Sequence, residues 1–238
     1  MSSTTILDRI EKLIAKAEST TSPQESAIFM AKAEELMLKH SIDRARLVDS
    51  GKATKAEITF QVLDFSSTEL PKSYWPVLRD SAFAVGHATG LVGMSTVNSL
   101  MVMYVYGTRT DVENVTAILR SMWRQAPAHL KIWRKLDPDY NALSWDIPDE
   151  YNEKWACTIS FLKGFGRGFA QAIAETRQAV EQETTGADLI LVSRKAEIEA
   201  AMGNVRPGRF GNLKLGSSGY LAGRQAGYDA EKGNRISS

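Results

Sequence analysis

The chain is poor in the residues that build disulfides, thiolate metal sites and histidine clusters: its 238 residues include one cysteine and three histidines. A lone Cys157 excludes an internal disulfide framework and fits a reducing compartment. An excess of one charge sign is also missing, since the formal net charge is +1 and the pI is near 7.8. That excludes a protein that coats DNA through a bulk basic surplus, and leaves only local clusters of cations for such contacts. Long apolar runs are absent. The longest stretches, 100–106 and 189–192, are far too short to cross a bilayer. The opening MSSTTILDRIEK lacks a basic segment followed by an apolar block, so the expectation is a cytoplasmic chain with no signal peptide and no membrane partner.

What is present is ordinary globular composition, 43% hydrophobic and 24% charged, enough to bury a sizeable core. The expected fold class is α+β: an N-terminal helical hairpin followed by a small antiparallel sheet packed with several helices. Three units are expected, a hairpin over 1–50, an α+β domain over 56–202, and a Gly-rich basic C-terminal segment over 203–238.

In the hairpin, Ile6, Ile10, Leu13, Ile14 and Ala17 recur at helical spacing as one apolar stripe. A polar break at Ser19-Thr20-Thr21 follows. Ser22-Pro23-Gln24-Glu25 then carries a cap, a proline suited to the first helical position and the glutamate of a capping box. The second helix is expected to reach about His40, with Ser41-Ile42-Asp43 as a fresh cap. A linker over 49–55 leads to a strand signal at Ile58, Phe60, Val62 and 63–65. Residues 74–90 return to helical spacing. Two further strands, 91–97 and 100–107, are expected to join at a tight turn at Asn98-Ser99.

Thr110-Asp111-Val112-Glu113 reads as another capped helix start, with the helix reaching about Leu136 and Pro127 kinking or breaking it. Residues 137–150 are expected as a loop, 152–184 as a long helix, 187–192 as a short edge strand and 193–202 as a short helix. Eight of the 17 glycines fall after residue 202, which implies a tail that is either mobile or folded only by close packing.

Two blocks of the hairpin, Leu13-Ile14-Ala15-Lys16-Ala17-Glu18-Ser19-Thr20 and the run over 31–42 holding Ala33-Glu34-Glu35-Leu36-Met37 and Lys39-His40-Ser41-Ile42, resemble an uncharacterised bacterial and phage domain. That domain of unknown function is common in phages of actinobacteria. Val105-Tyr106-Gly107, Gly164-Phe165 and Ala222-Gly223-Arg224 also fit its members. The resemblance implies a phage or prophage context and carries no catalytic residues.

Catalytic and cofactor motifs fail on spacing. His40, His87 and His129 form neither an HExxH nor a His-x-x-His pair. His40 is expected in the last turn of its helix, meeting free carbonyls, and His87 as a hydrogen-bonded, semi-buried residue. No lysine has an acid two positions before it, which a common metal-dependent nuclease core requires. The acids Asp137, Asp139, Asp146, Asp149 and Glu150 lack the ordered spacing of a calcium loop. Gly164-Phe165-Gly166-Arg167-Gly168 has the wrong spacing and sits inside a helix, so dinucleotide binding is unsupported. Phe161, Phe165 and Phe169, and likewise Gly219, Gly223 and Gly227, lie four apart and predict close helix packing. Neither a catalytic residue, nor a metal ligand, nor a cofactor is assigned.

One feature passes this filter. Between 118 and 136 lie Arg120, Arg124, Lys131, Arg134 and Lys135 and no acid. At about 100° per residue four of them share a stripe away from Leu119, Met122, Ala126, Leu130 and Trp133, with Trp123 nearby. Two expectations follow. One is a non-enzymatic phage or prophage accessory protein that binds nucleic acid through these five residues and the basic tail. The alternative is a protein–protein interaction module that docks on a host or phage factor through the hairpin. An enzyme assembled from scattered residues stands third. The sequence leaves the oligomeric state open.

Overall fold

The computed structural model describes residues 3–20, 22–63, 65, 70–96, 102–144, 148–184, 186–203 and 218–232. The hairpin forms as its caps direct. Helix α1 (Ser3–Ser19) packs on α2 (Pro23–Asp49), and the Ser22 hydroxyl accepts the Glu25 N–H at 3.3 Å. The Glu25 carboxylate takes the Thr20 hydroxyl at 2.8 Å, and Thr20 in turn accepts the Ser22 N–H at 3.3 Å. The reciprocal half of the capping box therefore runs through a threonine.

No break occurs at Ser41. Helix α2 continues for 27 residues, because the Ser41 hydroxyl donates to the Asp111 carboxylate at 2.9 Å instead of capping a new turn. His40 is accordingly a buried residue in mid-helix rather than a terminal one.

Three antiparallel strands follow, β1 (Ile58–Leu63), β2 (Gly93–Thr96) and β3 (Met103–Thr108), ordered β1-β3-β2. The expected turn at Asn98-Ser99 lies outside the described residues. Between β1 and β2 runs α3 (Trp75–Thr89), ended by Gly90 at φ 68°, a left-handed position that suits glycine. Met103, Val105 and Leu63 are buried, with β2 packed on α3 and β1 and β3 on the next helix.

That helix, α4 (Arg109–Leu136), starts two residues earlier than the sequence suggested. Thr108 is its cap and accepts the Asp111 N–H. It passes Pro127 as one continuous 28-residue helix, so of the expected kink or break the break does not occur. Residues 137–150 are not all loop. Asp137 caps a short α5 (Pro138–Ala142), its carboxylate accepting the Tyr140 N–H at 2.7 Å and the Trp133 indole N–H at 2.9 Å. Helix α6 (Pro148–Glu183) already includes Pro148. The side chains of Asp146, Asp149 and Glu150 lie outside the described residues.

The expected edge strand at 187–192 is instead the first half of α7 (Ala187–Met202). A four-residue apolar run does not distinguish strand from helix. The helix buries Ala187 and Ile190 while leaving Leu189 and Val192 about 70% exposed. Finally, α8 (Tyr220–Lys232) lies along α6. Four glycines permit this. A Cβ on Gly164 would collide with the Tyr220 carbonyl oxygen, one on Gly168 with that of Arg224, one on Gly223 with that of Phe161, and one on Gly227 with that of Phe165. Gly166 faces the opposite way, against Ser81 of α3. Close packing of these glycines and of the adjoining rings of Phe161, Phe165 and Phe169 is what their spacing predicted.

Candidate nucleic-acid interface

Helix α4 turns one face to the core and one to solvent. Val112, Val115, Leu119, Met122, Ala126, Leu130 and Trp133 are buried, at the three- and four-residue steps that the sequence pattern required. On the far side Arg120, Arg124, Lys131 and Lys135 are all exposed. Unbroken passage through Pro127 keeps these four within about 60° of each other over about 22 Å of helix. Arg120, Lys131 and Lys135 make no ion pair among the described residues, whereas cations elsewhere do, for example Lys39 with Glu35 and Glu183, Lys55 with Glu197, and Arg109 with Glu113.

Arg134, the fifth residue of the expected site, is drawn away from the stripe. Its guanidinium donates to Thr158 Oγ1 at 2.7 Å and to the Tyr74 hydroxyl at 3.4 Å, and stands 5.7 Å from the centre of the Tyr140 ring. It ties α4 to α6. Trp123 is also unavailable to a ligand, being buried against Phe65 with ring centres 5.0 Å apart. Neither Arg134 nor Trp123 therefore belongs to the stripe, which is formed by Arg120, Arg124, Lys131 and Lys135.

Two buried polar sites were not visible in the sequence. Asp111 accepts from Ser41 Oγ at 2.9 Å, Thr108 Oγ1 at 2.7 Å and Arg194 Nη1 at 2.9 Å. Its carboxylate is satisfied by three elements, α2, the start of α4 and α7. Two hydroxyl donors and a guanidinium make this a tie between helices rather than a general base, which needs a free lone pair.

Second, Glu34 of α2 and Glu231 of α8 are buried against each other. Burial pushes the Glu231 carboxyl well above its ordinary range, and the charge of Glu34 pushes it in the same direction. Burial also raises Glu34, with the hydrogen bond to Glu231 and the charge of Lys232 opposing. Neither Glu34 oxygen meets an ordinary donor among the described residues. Their mutual hydrogen bond therefore needs a carboxyl proton. Because both groups hold protons more tightly in the fold than in the unfolded chain, stability falls as pH rises from the unfolded carboxyl range, about 4.3, through the raised folded value. Glu231→Gln is expected to flatten this dependence, giving a higher melting temperature than the parent at pH 8 and no gain at pH 5. Thermal melts across that range measure it, and equal slopes in both proteins would refute the shared proton.

The histidines stand apart. His40 is buried near Asp111, and burial lowers its basicity. His129 is buried against Phe165, ring centres 5.3 Å apart, and burial lowers it too, with Asp229 opposing. His87 is exposed, not semi-buried. Among the described residues no three His, Cys, Asp or Glu side chains converge to hold a metal ion. No helix among them is long and apolar enough to cross a membrane. A cleft of about 500 Å³ opens between α3, β2, α6 and α7, with Phe83, Met94, Ile198 and Met202 in its walls. The cations bordering it, Arg177 and Lys195, are already paired with Glu181 and Glu199.

The hairpin's own apolar surface is used inside the molecule. Ile10, Ala17, Met30, Met37 and Ile42 are all buried, and α2 packs on α4, α6, α7 and α8. Comparison with known proteins finds no match among curated proteins or solved structures. Residues 5–44, α1 and most of α2, match the family model described as a protein of unknown function (DUF2786), so the hairpin carrying Glu34, His40 and Ser41 is similar to that domain of unknown function.

Proposed function

We propose that the protein is a non-enzymatic accessory protein, of phage or prophage context, that binds the phosphate backbone of a nucleic acid along α4. The observation that carries the reading is the solvent-facing stripe of Arg120, Arg124, Lys131 and Lys135. Over 118–136 that face carries no acid, Glu113 on the same line two turns earlier is paired with Arg109, and Arg120, Lys131 and Lys135 make no ion pair among the described residues. A stripe of this kind attracts a polyanion without reading its sequence, since backbone contacts position and base contacts specify.

Four phosphate contacts give an expected salt slope of about −3.6 on duplex DNA and about −2.8 on a single strand. Affinity then falls roughly a hundredfold between about 50 and about 200 mM salt. Filter binding with duplex DNA, single-stranded DNA and RNA measures both slopes. The triple variant Arg120→Ala, Lys131→Ala, Lys135→Ala is expected to lose most of the slope. The exposed pair Lys12→Ala, Lys52→Ala is expected to leave it unchanged. Absence of binding to all three nucleic acids at about 50 mM salt, where such contacts are strong, would sink the proposal.

A further inference from the structure

Strand β1 lies at the edge of the sheet. Thr59, Phe60, Gln61 and Val62 are all exposed. One side of the strand pairs with β3 in six consecutive residue pairs, from Ile58 with Thr108 to Leu63 with Met103. No described strand pairs with its other side, so its outward N–H and C=O groups form a row open to another strand.

Natural edges are blunted by charges, proline, bulges, short length or a covering element. The sequence ITFQVL of β1 has no charge and no proline, and the unbroken register leaves no bulge. The opposite edge is treated differently. Strand β2 has four residues, Ser95 and Thr96 are buried, and Ile198 and Met202 of α7 lie against Gly93. Among the described residues, one edge is short and covered while the other is longer and has no strand beside it.

The open strand also presents an apolar face. Phe60 is 58% and Val62 50% exposed. The Phe60 ring centre lies 5.7 Å from that of Tyr104 and 5.9 Å from that of Tyr106. An aromatic layer thus runs from β3 to the bare edge and stops there.

We propose that β1 is the contact between two copies of this chain, each β1 pairing antiparallel with the other about a two-fold axis. A second copy fits because self-pairing requires a strand to be its own complement. Six uncharged residues place no like charges opposite each other, and Phe60 and Val62 of each copy continue the aromatic layer of the other. The contact closes. A six-stranded sheet ordered β2-β3-β1-β1-β3-β2 leaves only the two covered β2 edges outside, so assembly stops at two. The axis is perpendicular to the sheet, which puts both α4 helices on the same face.

Sedimentation velocity of the full chain, from about 1 to about 300 µM, tests this without any nucleic acid. The expected mass rises from 26.3 kDa to twice that value and goes no further. Gln61→Lys and Val62→Lys, each at an exposed position, are expected to weaken the dimer at least about tenfold by setting charges against each other at the axis. Their circular dichroism at low concentration should match the parent. Single cysteines at Thr59 and Gln61, with Cys157→Ser, are expected to cross-link on oxidation at whichever position lies by the axis, and a cysteine at exposed Lys12 is not. A monomer throughout, a dimer indifferent to both lysine variants, or growth beyond two copies each overturns the proposal.

Discussion

Gly168→Ala is expected to destabilise the protein by at least about 3 kcal/mol, the upper range for overpacking a tight contact. That corresponds to a fall in melting temperature of roughly 6–12 °C for a chain of this size. The new methyl would collide with the Arg224 carbonyl oxygen, a main-chain atom in the middle of α8 that has no rotamer to adopt. Relief requires the two helices to separate. Separation also breaks the matching contacts at Gly164, Gly223 and Gly227, together with the Tyr228 hydroxyl bond to Glu175 at 2.6 Å and the Arg224 bond to Gln171 at 2.7 Å. Helix propensity works the other way, favouring alanine by about 1 kcal/mol, and is outweighed. Gly86→Ala in α3 is the informative comparison. Its methyl would meet the Cε, Sδ and Cγ of Met94, a flexible side chain that can swing aside rather than main chain, so its expected cost is below about 1 kcal/mol. If thermal melts find the two variants equally stable, the α6–α8 contact is not held by those glycines.

Asp111→Ala should come second, at about 3–5 kcal/mol, the cost of removing one partner from a buried ion pair. Asp111 and Arg194 side chains are only 4% and 12% exposed, so the stranded guanidinium cannot recover its hydration without local opening. Ser41 and Thr108 lose their acceptor at the same time. Much of this loss is the penalty of the orphaned charge rather than the worth of the bond. The double variant Asp111→Ala, Arg194→Met is therefore expected to recover a large part of the stability. Additive losses in a double-mutant cycle would show that the two residues do not act as a pair.

These two sites differ sharply in how far the sequence announced them. The glycine spacing in α6 and α8 was readable because a residue without a side chain, repeated every fourth position, has a single geometric use on a helix face. Asp111 was not. Its pattern with Thr110 resembled a simple helix start, while its partners Ser41 and Arg194 lie 70 and 83 residues away. The same holds for Glu34, which reads as a surface glutamate beside Glu35 until α8 brings Glu231 against it. The basic stripe was fully legible, and the structure removed only Arg134 and Trp123 from its neighbourhood.

What the sequence by itself determined was local. The cap at Ser22, the 3.6-residue stripes of α1 and α4, the extended state of β1 and the α+β class all follow from interactions between residues a few positions apart. The strand order β1-β3-β2 and the continuation of α2 past Ser41 needed more, as did the helical state of 187–192. Those depended on which surfaces meet across the molecule. A hydroxyl keeps a helix going when a distant carboxylate takes its proton, and an apolar run becomes helix when only Ala187 and Ile190 find a core to enter. Only tertiary packing decides whether such a group is buried with a partner, because desolvation and pairing are properties of the site and not of the residue.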